Sequence, residues 1–313
     1  MLALLFPGQG SQEVGMGRDV HEASAAARAV FDAADEALGF ALSRICFEGP
    51  EAELVRTEIQ QPAILTVSVA LLRALEEKLR PEAAFVAGHS LGEYTALVAA
   101  GALSFEDAVR LVQARGRFMQ EAVPDGHGAM AAVIGCDPEI VAECCRAAAA
   151  ETGRVVAPAN FNGPAQTVIA GDSVAVERAC NRAREAGARR TVPLPVSAPF
   201  HCELMARAAE KLAVELAGAR FADADPPVVT NVEATANADG RRTAELLTRQ
   251  VTAPVRFVET VGYLSKRGVT RVLEIGPGRV LTGLVRRIDG SIRRGNLSCL
   301  AEVEPAASFV AGA

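Results

Sequence analysis

Short apolar runs of strand length alternate with longer runs of helical periodicity along this chain, and this alternation constrains the fold more than any other feature. The strand-length runs cover residues 3–6, 84–87 and 269–275, and the helix-length runs cover residues 63–79, 104–122 and 279–288. Strands separated by helices are typical of a mostly parallel sheet covered by helices. Half of the 313 residues are hydrophobic, enough to bury a full-sized core without disulfides. The sequence therefore predicts an α/β fold.

The segment from about residue 128 to residue 194 has a different order of elements. It reads as strand, helix, strand, strand, helix and strand over residues 129–134, 138–151, 155–161, 167–170, 174–186 and 190–195. This order is the ferredoxin-like pattern. Because the α/β pattern resumes afterwards, we predict a small ferredoxin-like α+β subdomain, residues 127–195, inserted into a large domain of residues 1–126 and 196–313. Residues 124–126 and 195–199 are the expected hinges, and the cleft between the two parts is the expected site.

Composition excludes several classes of function. The 32 Lys and Arg residues against 38 Asp and Glu give a formal charge of −6, so no global positive field favours nucleic acid. The apolar opening at residues 2–6 is too short for a signal peptide or a membrane span, which predicts a cytoplasmic protein that does not bind a membrane. The seven cysteines form no CxxC motif and the four histidines no close pair, so we expect reduced thiols and no metal site. The last ten or so residues are expected to fray.

The sharpest local motif is Gly-His-Ser-Leu-Gly at residues 88–92. An apolar strand runs directly into it, and a helix that ends at Gly101 follows it. In a nucleophile elbow the serine occupies a strained strand-to-helix turn, and the small residues on either side let strand and helix approach each other. This context predicts that Ser90 is a nucleophile in a hydrolase-like domain. A plain tight turn is the alternative.

A serine nucleophile needs a base, and histidine is the usual one. His21 lies at a polar helix start and His127 in an expected hinge, so neither is favoured. His89 directly precedes Ser90 on the sharp turn, where it either points away or lines the pocket. His201 lies at a loop-to-helix junction after a proline-containing stretch, which favours it as the base over a purely structural histidine. Because no aspartate between Ser90 and His201 belongs to a recognisable motif, a Ser–His dyad oriented by a backbone carbonyl and a full triad both remain open.

Two glycine-containing loops follow predicted strands. The loop at residues 7–12, Pro-Gly-Gln-Gly-Ser-Gln, offers backbone N–H groups that can face an oxyanion, although an ordinary turn is the alternative. It lacks the Gly-Lys-Ser/Thr ending of a phosphate loop, and Glu13 replaces the third glycine of a dinucleotide fingerprint. The loop at residues 276–278 fails the same test, so dinucleotide binding is disfavoured.

Arg115 lies within the apolar stripe of the predicted helix at residues 104–122. Ser104 and Asp107 form a capping box at its start. A guanidinium on a buried face keeps its charge and needs a carboxylate opposite it, but the helix face supplies none. Either a distant acidic residue or the carboxylate of a ligand pairs with Arg115, and the bidentate geometry of arginine suits the second role.

Seven motifs in the same order show that the chain resembles the malonyl-CoA:acyl carrier protein transacylases of type II fatty-acid synthesis and the acyltransferases of polyketide synthases. These motifs are LLFPGQGSQ, GHSLGEYTAL, QARGRFMQEAVPDGHGAMAAV, APANFNGPAQTVIAG, SAPFHCELM, TRQVTAPVRF and VLEIGPGRVLTGL. The likeness covers nearly the whole chain. It also implies a ferredoxin-like subdomain inserted into a hydrolase-like one.

The resemblance implies a role for each matching position. Ser90 would be acylated, His201 would be its base, and the Gln250 main-chain carbonyl would orient the imidazole. The remaining implied roles are an oxyanion hole at the backbone N–H groups of Gln9 and Leu91, a clamp for the malonyl carboxylate at Arg115, and pocket positions at Met119, Asn160 and His89. Phe200 resembles the malonyl-selecting form of its motif, in which a ring crowds the extra methyl of methylmalonyl. One methyl is worth only about 1–3 kcal/mol in an apolar pocket.

The function implied is ping-pong transfer of malonyl from malonyl-CoA, through a Ser90 ester, to the phosphopantetheine thiol of an acyl carrier protein. No cofactor is implied, and the family likeness suggests a monomer. Arginine pairs at residues 189–190, 286–287 and 293–294 are candidate carrier-docking positions, with scattered surface arginines as the alternative. A serine acyl-hydrolase or thioesterase with the same Ser–His pair is the main rival, and a non-catalytic docking protein is a third possibility. The choice between fatty-acid and polyketide synthesis stays open.

Overall fold

The computed structural model describes residues 1–124, 126–196 and 198–312. Asp125 and Ser197, one in each expected hinge, lie outside the described residues. The described strands are β1 Leu2–Phe6, β2 Phe85–Gly88, β3 Gly128–Ile134, β4 Val156–Gly163, β5 Gln166–Asp172, β6 Arg190–Pro193, β7 Val228–Val229, β8 Ala236–Asn237, β9 Arg271–Ile275 and β10 Arg293–Leu297.

The described α-helices are α1 Arg18–Ala23, α2 Ala25–Leu38, α3 Leu42–Glu48, α4 Glu51–Leu54, α5 Thr57–Glu76, α6 Gly92–Ala99, α7 Phe105–Glu121, α8 Pro138–Thr152, α9 Ser173–Glu185, α10 Ala206–Gly218, α11 Gly240–Thr252, α12 Phe257–Lys266, α13 Val280–Ile288 and α14 Val303–Ala311. Short 3₁₀ helices cover Glu203–Met205 and Leu300–Glu302. Among these described helices, none is long and apolar enough to cross a bilayer.

The larger sheet has six strands in the order β10-β9-β1-β2-β7-β8. All its strand pairs are parallel except β7 with β8. Every residue of β1 is buried, and its alternate side chains enter two hydrophobic clusters: Leu4 and Phe6 enter one, and Ala3 and Leu5 the other. A strand covered on both faces is continuously apolar, which explains the sequence pattern.

The smaller sheet has four antiparallel strands in the order β4-β5-β3-β6. Ala131 and Val133 of β3 pack with α8 and α9 in their own cluster, whereas Met130 and Ala132 on the opposite face join the main core. The predicted fold class, a mostly parallel α/β domain with a ferredoxin-like α+β part, is confirmed. The exact domain limits at residues 127 and 195 stay a prediction.

The smaller sheet contacts the large domain along β4. The Val255 N–H donates to the Ala159 carbonyl at 2.9 Å, and the Phe161 N–H donates to the Val255 carbonyl at 2.9 Å. The segment between α11 and α12 therefore runs beside β4 like an additional strand. This contact places Asn160, between the two bonded residues, at the boundary between the small sheet and the large domain.

The expectation of a frayed C-terminus is wrong. Residues 303–311 form α14, in which Val303 and Ala306 are buried against the main core. Arg271 of β9 also donates to the Phe309 carbonyl at 2.7 Å. The small apolar side chains of this segment give it a buried face, and a frayed end would leave that face exposed to water.

Candidate active site

The Gly-His-Ser-Leu-Gly motif forms the predicted sharp turn between β2 and α6. Ser90 has a φ of +53°, a strained conformation for a residue with a side chain. A Cβ on Gly88 would lie 1.9 Å from the Gly92 carbonyl carbon, and one on Gly92 would lie 2.1 Å from the Phe6 carbonyl oxygen. Only glycine fits at either position. The turn therefore raises the Ser90 hydroxyl above the end of the parallel sheet.

His201 meets Ser90 across the site. The Ser90 Oγ lies 2.7 Å from the His201 Nε2, and the His201 Nδ1 lies 2.9 Å from the Gln250 main-chain oxygen. A carbonyl only accepts, so Nδ1 carries the proton and Nε2 is left as the acceptor for the serine hydroxyl. The ring is oriented by a backbone carbonyl, and of the two alternatives left open by the sequence this geometry is that of the dyad.

Burial and a nearby cation keep His201 neutral. Desolvation, followed by the positive charge of Arg115, lowers the pKa of the His201 imidazole from 6.5 to about 3. Both effects disfavour the imidazolium form. The free site therefore presents an unprotonated imidazole to Ser90 at any pH near neutrality.

Arg115 of α7 points its guanidinium at the same hydroxyl. Its Nη2 donates to Ser90 Oγ at 3.0 Å and to Gln250 Oε1 at 3.0 Å, and its Nη1 donates to Gln61 Oε1 at 2.8 Å. The side chain is 0% exposed, and its guanidinium carbon lies 5.8 Å from the Tyr94 ring centroid. All its partners are neutral groups.

The charge of Arg115 is incompletely matched. The buried Nε of Arg115 has no hydrogen-bond partner, and among the described residues no carboxylate lies within ion-pair distance of the guanidinium. The buried Glu93 carboxyl acts on it only at longer range, from the other side of the Gln250 amide. A buried cation in this state is costly unless an anion reaches it. The sequence left open an internal acid or the carboxylate of a ligand as the partner, and this geometry favours the ligand.

A second layer of polar side chains surrounds these three residues. Gln250 and Asn231 are 0% and 1% exposed. The Asn231 Oδ1 accepts from the Ser90 N–H at 2.6 Å, and the Gln250 Nε2 donates to the Ser90 carbonyl at 3.0 Å. Glu93, on the first turn of α6, accepts from both residues, and burial raises the pKa of its carboxyl to about 7.

Three further residues at the site, Gln61, Glu93 and Asn231, were not predicted from the sequence. Glu93 carried a usable signal, because it is the one charged residue of the short helix α6 that follows the elbow. Gln61 and Asn231 come from helix α5 and the segment after β7, which bear no local motif. Only the fold brings them to the site.

The loop at residues 7–12 lies against the elbow. A Cβ on Gly8 would approach the His89 carbonyl oxygen to 2.5 Å, and the Gln9 side chain bridges Gln60 and Gln61. Within residues 1–124, 126–196 and 198–312, the backbone N–H groups of Gln9 and Leu91 donate to no protein acceptor. Two donors free in this way beside Ser90 are suited to hold a developing oxyanion.

The remaining predicted residues divide into those at the site and those away from it. Met119 places its sulfur 3.9 Å from Gln61 Nε2, and His89 pairs with Asn162 at 2.8 Å. Phe200 and Asn160 are 6% and 7% exposed, on the loop before His201 and on β4.

The two histidines that were not favoured as the base lie elsewhere. His21 contacts the rings of Phe31 and Phe47, and His127 lies in an exposed turn. Among the described residues no group of three or more His, Cys, Asp or Glu side chains could hold a metal ion.

A mostly parallel α/β fold with a serine and a histidine paired at a strand-to-helix elbow defines an acyl-transfer class of protein. A model of the acyl transferase domain matches residues 3–294. The malonyl CoA-acyl carrier protein transacylase of Escherichia coli K12 is 50% identical over 286 residues, 91% of this chain and 92% of that protein. The chain belongs to the malonyl-CoA:acyl carrier protein transacylase family.

Solved structures agree with this assignment. An acyl carrier protein S-malonyltransferase from Vibrio cholerae is 45% identical, with a TM-score of 0.95 over 97% of this chain and 99% of that one. A malonyl-transacylase solved in complex with its type II polyketide synthase acyl carrier protein is also 45% identical. Its TM-score is 0.95, over 98% of this chain and 99% of that chain. The predicted family is confirmed.

Proposed function

We propose that this chain transfers a malonyl group from malonyl-CoA to the phosphopantetheine thiol of an acyl carrier protein through an ester on Ser90. The activity predicted from the sequence, that of an acyl carrier protein S-malonyltransferase, agrees with the relatives. One observation carries the residue assignment: the Ser90 Oγ lies 2.7 Å from a neutral imidazole and 3.0 Å from a buried guanidinium that has no carboxylate partner among the described residues.

In the first half-reaction His201 Nε2 removes the proton from the Ser90 hydroxyl as Oγ attacks the thioester carbonyl. The negative charge moves to the carbonyl oxygen, where the N–H groups of Gln9 and Leu91 receive it. When the C–S bond breaks, His201 returns the proton to the CoA thiolate. The Gln250 carbonyl accepts from Nδ1 throughout and stabilises the transient imidazolium.

Arg115 supplies selectivity for a dicarboxylic acyl group. A malonyl carboxylate would give the guanidinium an anionic partner and its Nε an acceptor, at the cost of one of its present hydrogen bonds to neutral oxygens. A monocarboxylic acyl group offers no such compensation. A serine hydrolase gains nothing from this buried cation, so the hydrolase alternative is not favoured.

In the second half-reaction His201 takes the proton of the carrier thiol as its sulfur attacks the malonyl ester, and returns it to Ser90 Oγ when the ester C–O bond breaks. Water must be slower than the thiol, and the burial of Ser90 and His201, which are 9% and 3% exposed, limits its access. Met119, Asn160 and Phe200 would line the acyl pocket, and the Phe200 ring would crowd an α-methyl group. The scheme needs no metal or cofactor, because the phosphopantetheine arm belongs to the carrier.

The acidic chain needs a local basic surface to bind an acidic carrier. Gln166 and Arg190 both pair with Ile134 across β3, and Arg287 donates to Gln166 at 2.8 Å. Arg287 and Arg190 therefore lie at the same end of the small sheet, together with Arg189. We call these three arginines the basic edge and assign carrier docking to it. We further propose that the protein is cytoplasmic, consistent with its seven free cysteines, and, from the family resemblance alone, that it is a monomer.

Intact-mass measurement after mixing with malonyl-CoA tests the chemistry. The wild type should gain one malonyl group, and Ser90→Ala should gain none. Immediate release of free malonate without a carrier would favour hydrolysis, and absence of any adduct in the wild type would contradict the proposal.

Arg115→Ala tests the clamp. It should reduce the malonylation rate by at least about 100-fold and leave acetylation by acetyl-CoA within a few-fold of the wild type, because only malonyl carries the second carboxylate. Stopped-flow acylation with the two thioesters measures both rates. An equal loss on both acyl groups would contradict the clamp.

A further inference from the structure

Glu93 is buried beside the reacting groups, and no step of the proposed transfer uses it. Its side chain is 2% exposed, and it lies three residues after Ser90 on the first turn of α6. One carboxylate oxygen, Oε2, accepts from the Asn231 N–H at 2.9 Å and from the Gln250 Nε2 at 2.9 Å. Asn231 and Gln250 are also the residues whose side chains hydrogen-bond to the backbone N–H and carbonyl of Ser90.

The Gln250 side chain links three functional groups through one planar amide. Its Oε1 accepts from Arg115 at 3.0 Å, and its Nε2 donates to the Ser90 carbonyl at 3.0 Å. Rotation of the amide by half a turn would present Nε2 to Arg115, where donor meets donor. Because the Glu93 Oε2 already accepts from the Asn231 N–H, it meets Gln250 as an acceptor, and it favours the orientation in which Nε2 faces it and Oε1 faces Arg115.

Asn231 extends the same control to the elbow. While its N–H donates to Glu93, its side chain accepts from the Ser90 N–H at 2.6 Å and donates to the Gly88 carbonyl at 2.6 Å. Asn231 thus connects the strained Ser90 turn to the Glu93 carboxylate, as Gln250 does through a separate set of hydrogen bonds. One buried acid therefore contacts both supports of the nucleophile.

We propose that Glu93 is a positioning residue for acyl transfer, which fixes the Gln250 amide and through it aims the Arg115 guanidinium at the acyl carboxylate. This inference rests on the proposed malonyl transfer. Glu93 does not touch the substrate. A displacement of the guanidinium by about 1 Å is enough to cost on the order of 100-fold in rate, so a loss at Glu93 is measurable in selectivity.

The test compares the wild type with Glu93→Leu and Glu93→Gln. The ratio of kcat/KM for malonyl-CoA to that for acetyl-CoA is measured for each, because this ratio does not depend on the fraction of folded enzyme. Glu93→Leu should lower the ratio at least about tenfold, since the leucine removes one acceptor of Nε2 and leaves the amide held only by Arg115 and the Ser90 carbonyl. Glu93→Gln should keep it within about threefold, because the glutamine oxygen offers the same acceptor. Glu93→Ala replaces the leucine variant if the latter does not fold.

Glu274→Leu is the matched control for burial of a carboxylate. Glu274 is also 0% exposed, but its oxygens accept from the N–H groups of Leu281 and Thr282 at the start of α13. This control should lose stability and keep the malonyl-to-acetyl ratio. An unchanged ratio in Glu93→Leu, or an equally reduced ratio in Glu93→Gln, would overturn the positioning role. A wild type that does not prefer malonyl would instead refute the proposed function.

Discussion

The same burial acts on His201 and Arg115 with different results. Desolvation disfavours the charged form of both groups, and it lowers both pKa values. Imidazole responds by staying neutral, whereas a guanidinium keeps its proton under all ordinary conditions. The persistent positive charge of Arg115 then lowers the pKa of His201 further. A neutral base next to a fixed cation is the combination that malonyl transfer requires.

This coupling predicts a pH dependence of stability. The folded pKa of His201, about 3, lies below the ordinary value of 6.5. Between these values the unfolded chain binds a proton that the folded chain does not, so His201 makes the native state less stable as the pH falls below 6.5. Glu93 acts in the opposite direction, because its pKa is raised from 4.5 to about 7 and the folded state binds the extra proton.

His201→Gln separates the two contributions. The free energy of unfolding, measured with urea between about pH 5 and pH 8, should fall towards low pH more steeply in the wild type than in the variant. The difference between them should be constant from about pH 7.5 to pH 8, where the histidine is neutral in both states. A difference that stays constant down to about pH 5 would contradict the low pKa of His201.

At the scale of elements, the close approach of β2, α6 and β1 depends on two glycines. A methyl group at Gly88 would overlap the backbone of Gly92 at 1.9 Å, and backbone cannot move aside as a flexible side chain can. Gly283 of α13 is different, because a methyl group there would have no neighbouring atom within 4 Å. The two positions therefore test whether the elbow is under steric constraint.

Gly88→Ala should destabilise the protein by at least about 3 kcal/mol and abolish malonyl adduct formation, because the turn must open to admit the methyl group. Gly283→Ala should stabilise it by roughly 0.5–1 kcal/mol, since alanine is the better residue inside a helix. Urea unfolding and intact-mass measurement check both variants. A Gly88→Ala enzyme with wild-type stability would show that the elbow accommodates a methyl group at this position.

The sequence predicted those elements whose pattern is local. The helix at 104–122 appears as Phe105–Glu121, with Ser104 accepting from the Asp107 N–H at 3.1 Å as its capping box requires. Strand β10 was not predicted, because an edge strand with the sequence Arg-Arg-Gly-Asn-Leu lacks an apolar run. The strand is formed instead by backbone hydrogen bonds to β9, which its own side chains do not reveal.

The residues of the candidate site likewise divide into those that a local sequence pattern predicts and those that it does not. Ser90 stands out in the sequence because it is part of an elbow motif, and Arg115 because it interrupts an apolar helix face. Asn231 and Gln61 break no local pattern, and their roles follow only from contacts made 141 and 54 residues away. Such contacts depend on the packing of distant elements, which short-range periodicity does not encode.

At the scale of the whole molecule, the basic edge lies close to the site. The strand β4, which neighbours β5 in the small sheet, carries Asn162, and Asn162 bonds to His89 beside Ser90 at 2.8 Å. Gln166, which binds Arg287, follows directly in the β4–β5 hairpin and pairs with Gly163. By contrast, Arg293 lies on β10 at one edge of the larger sheet, where its guanidinium carbon is 5.8 Å from the Phe309 ring centroid.

Reversing the charge of the basic edge should therefore weaken carrier binding without changing the chemistry at Ser90. The double variant Arg190→Glu and Arg287→Glu should raise the KM for an acidic holo acyl carrier protein about tenfold and flatten the dependence of the rate on salt. Acylation by malonyl-N-acetylcysteamine, which has no phosphate groups, should stay within about twofold of the wild type, because the reacting groups are untouched. The double variant Arg293→Glu and Arg294→Glu, which changes the net charge by the same amount, is the control and should leave the carrier KM unchanged. An equal rise in KM for both variants would mean that only the net charge matters, and docking at the basic edge would be refuted.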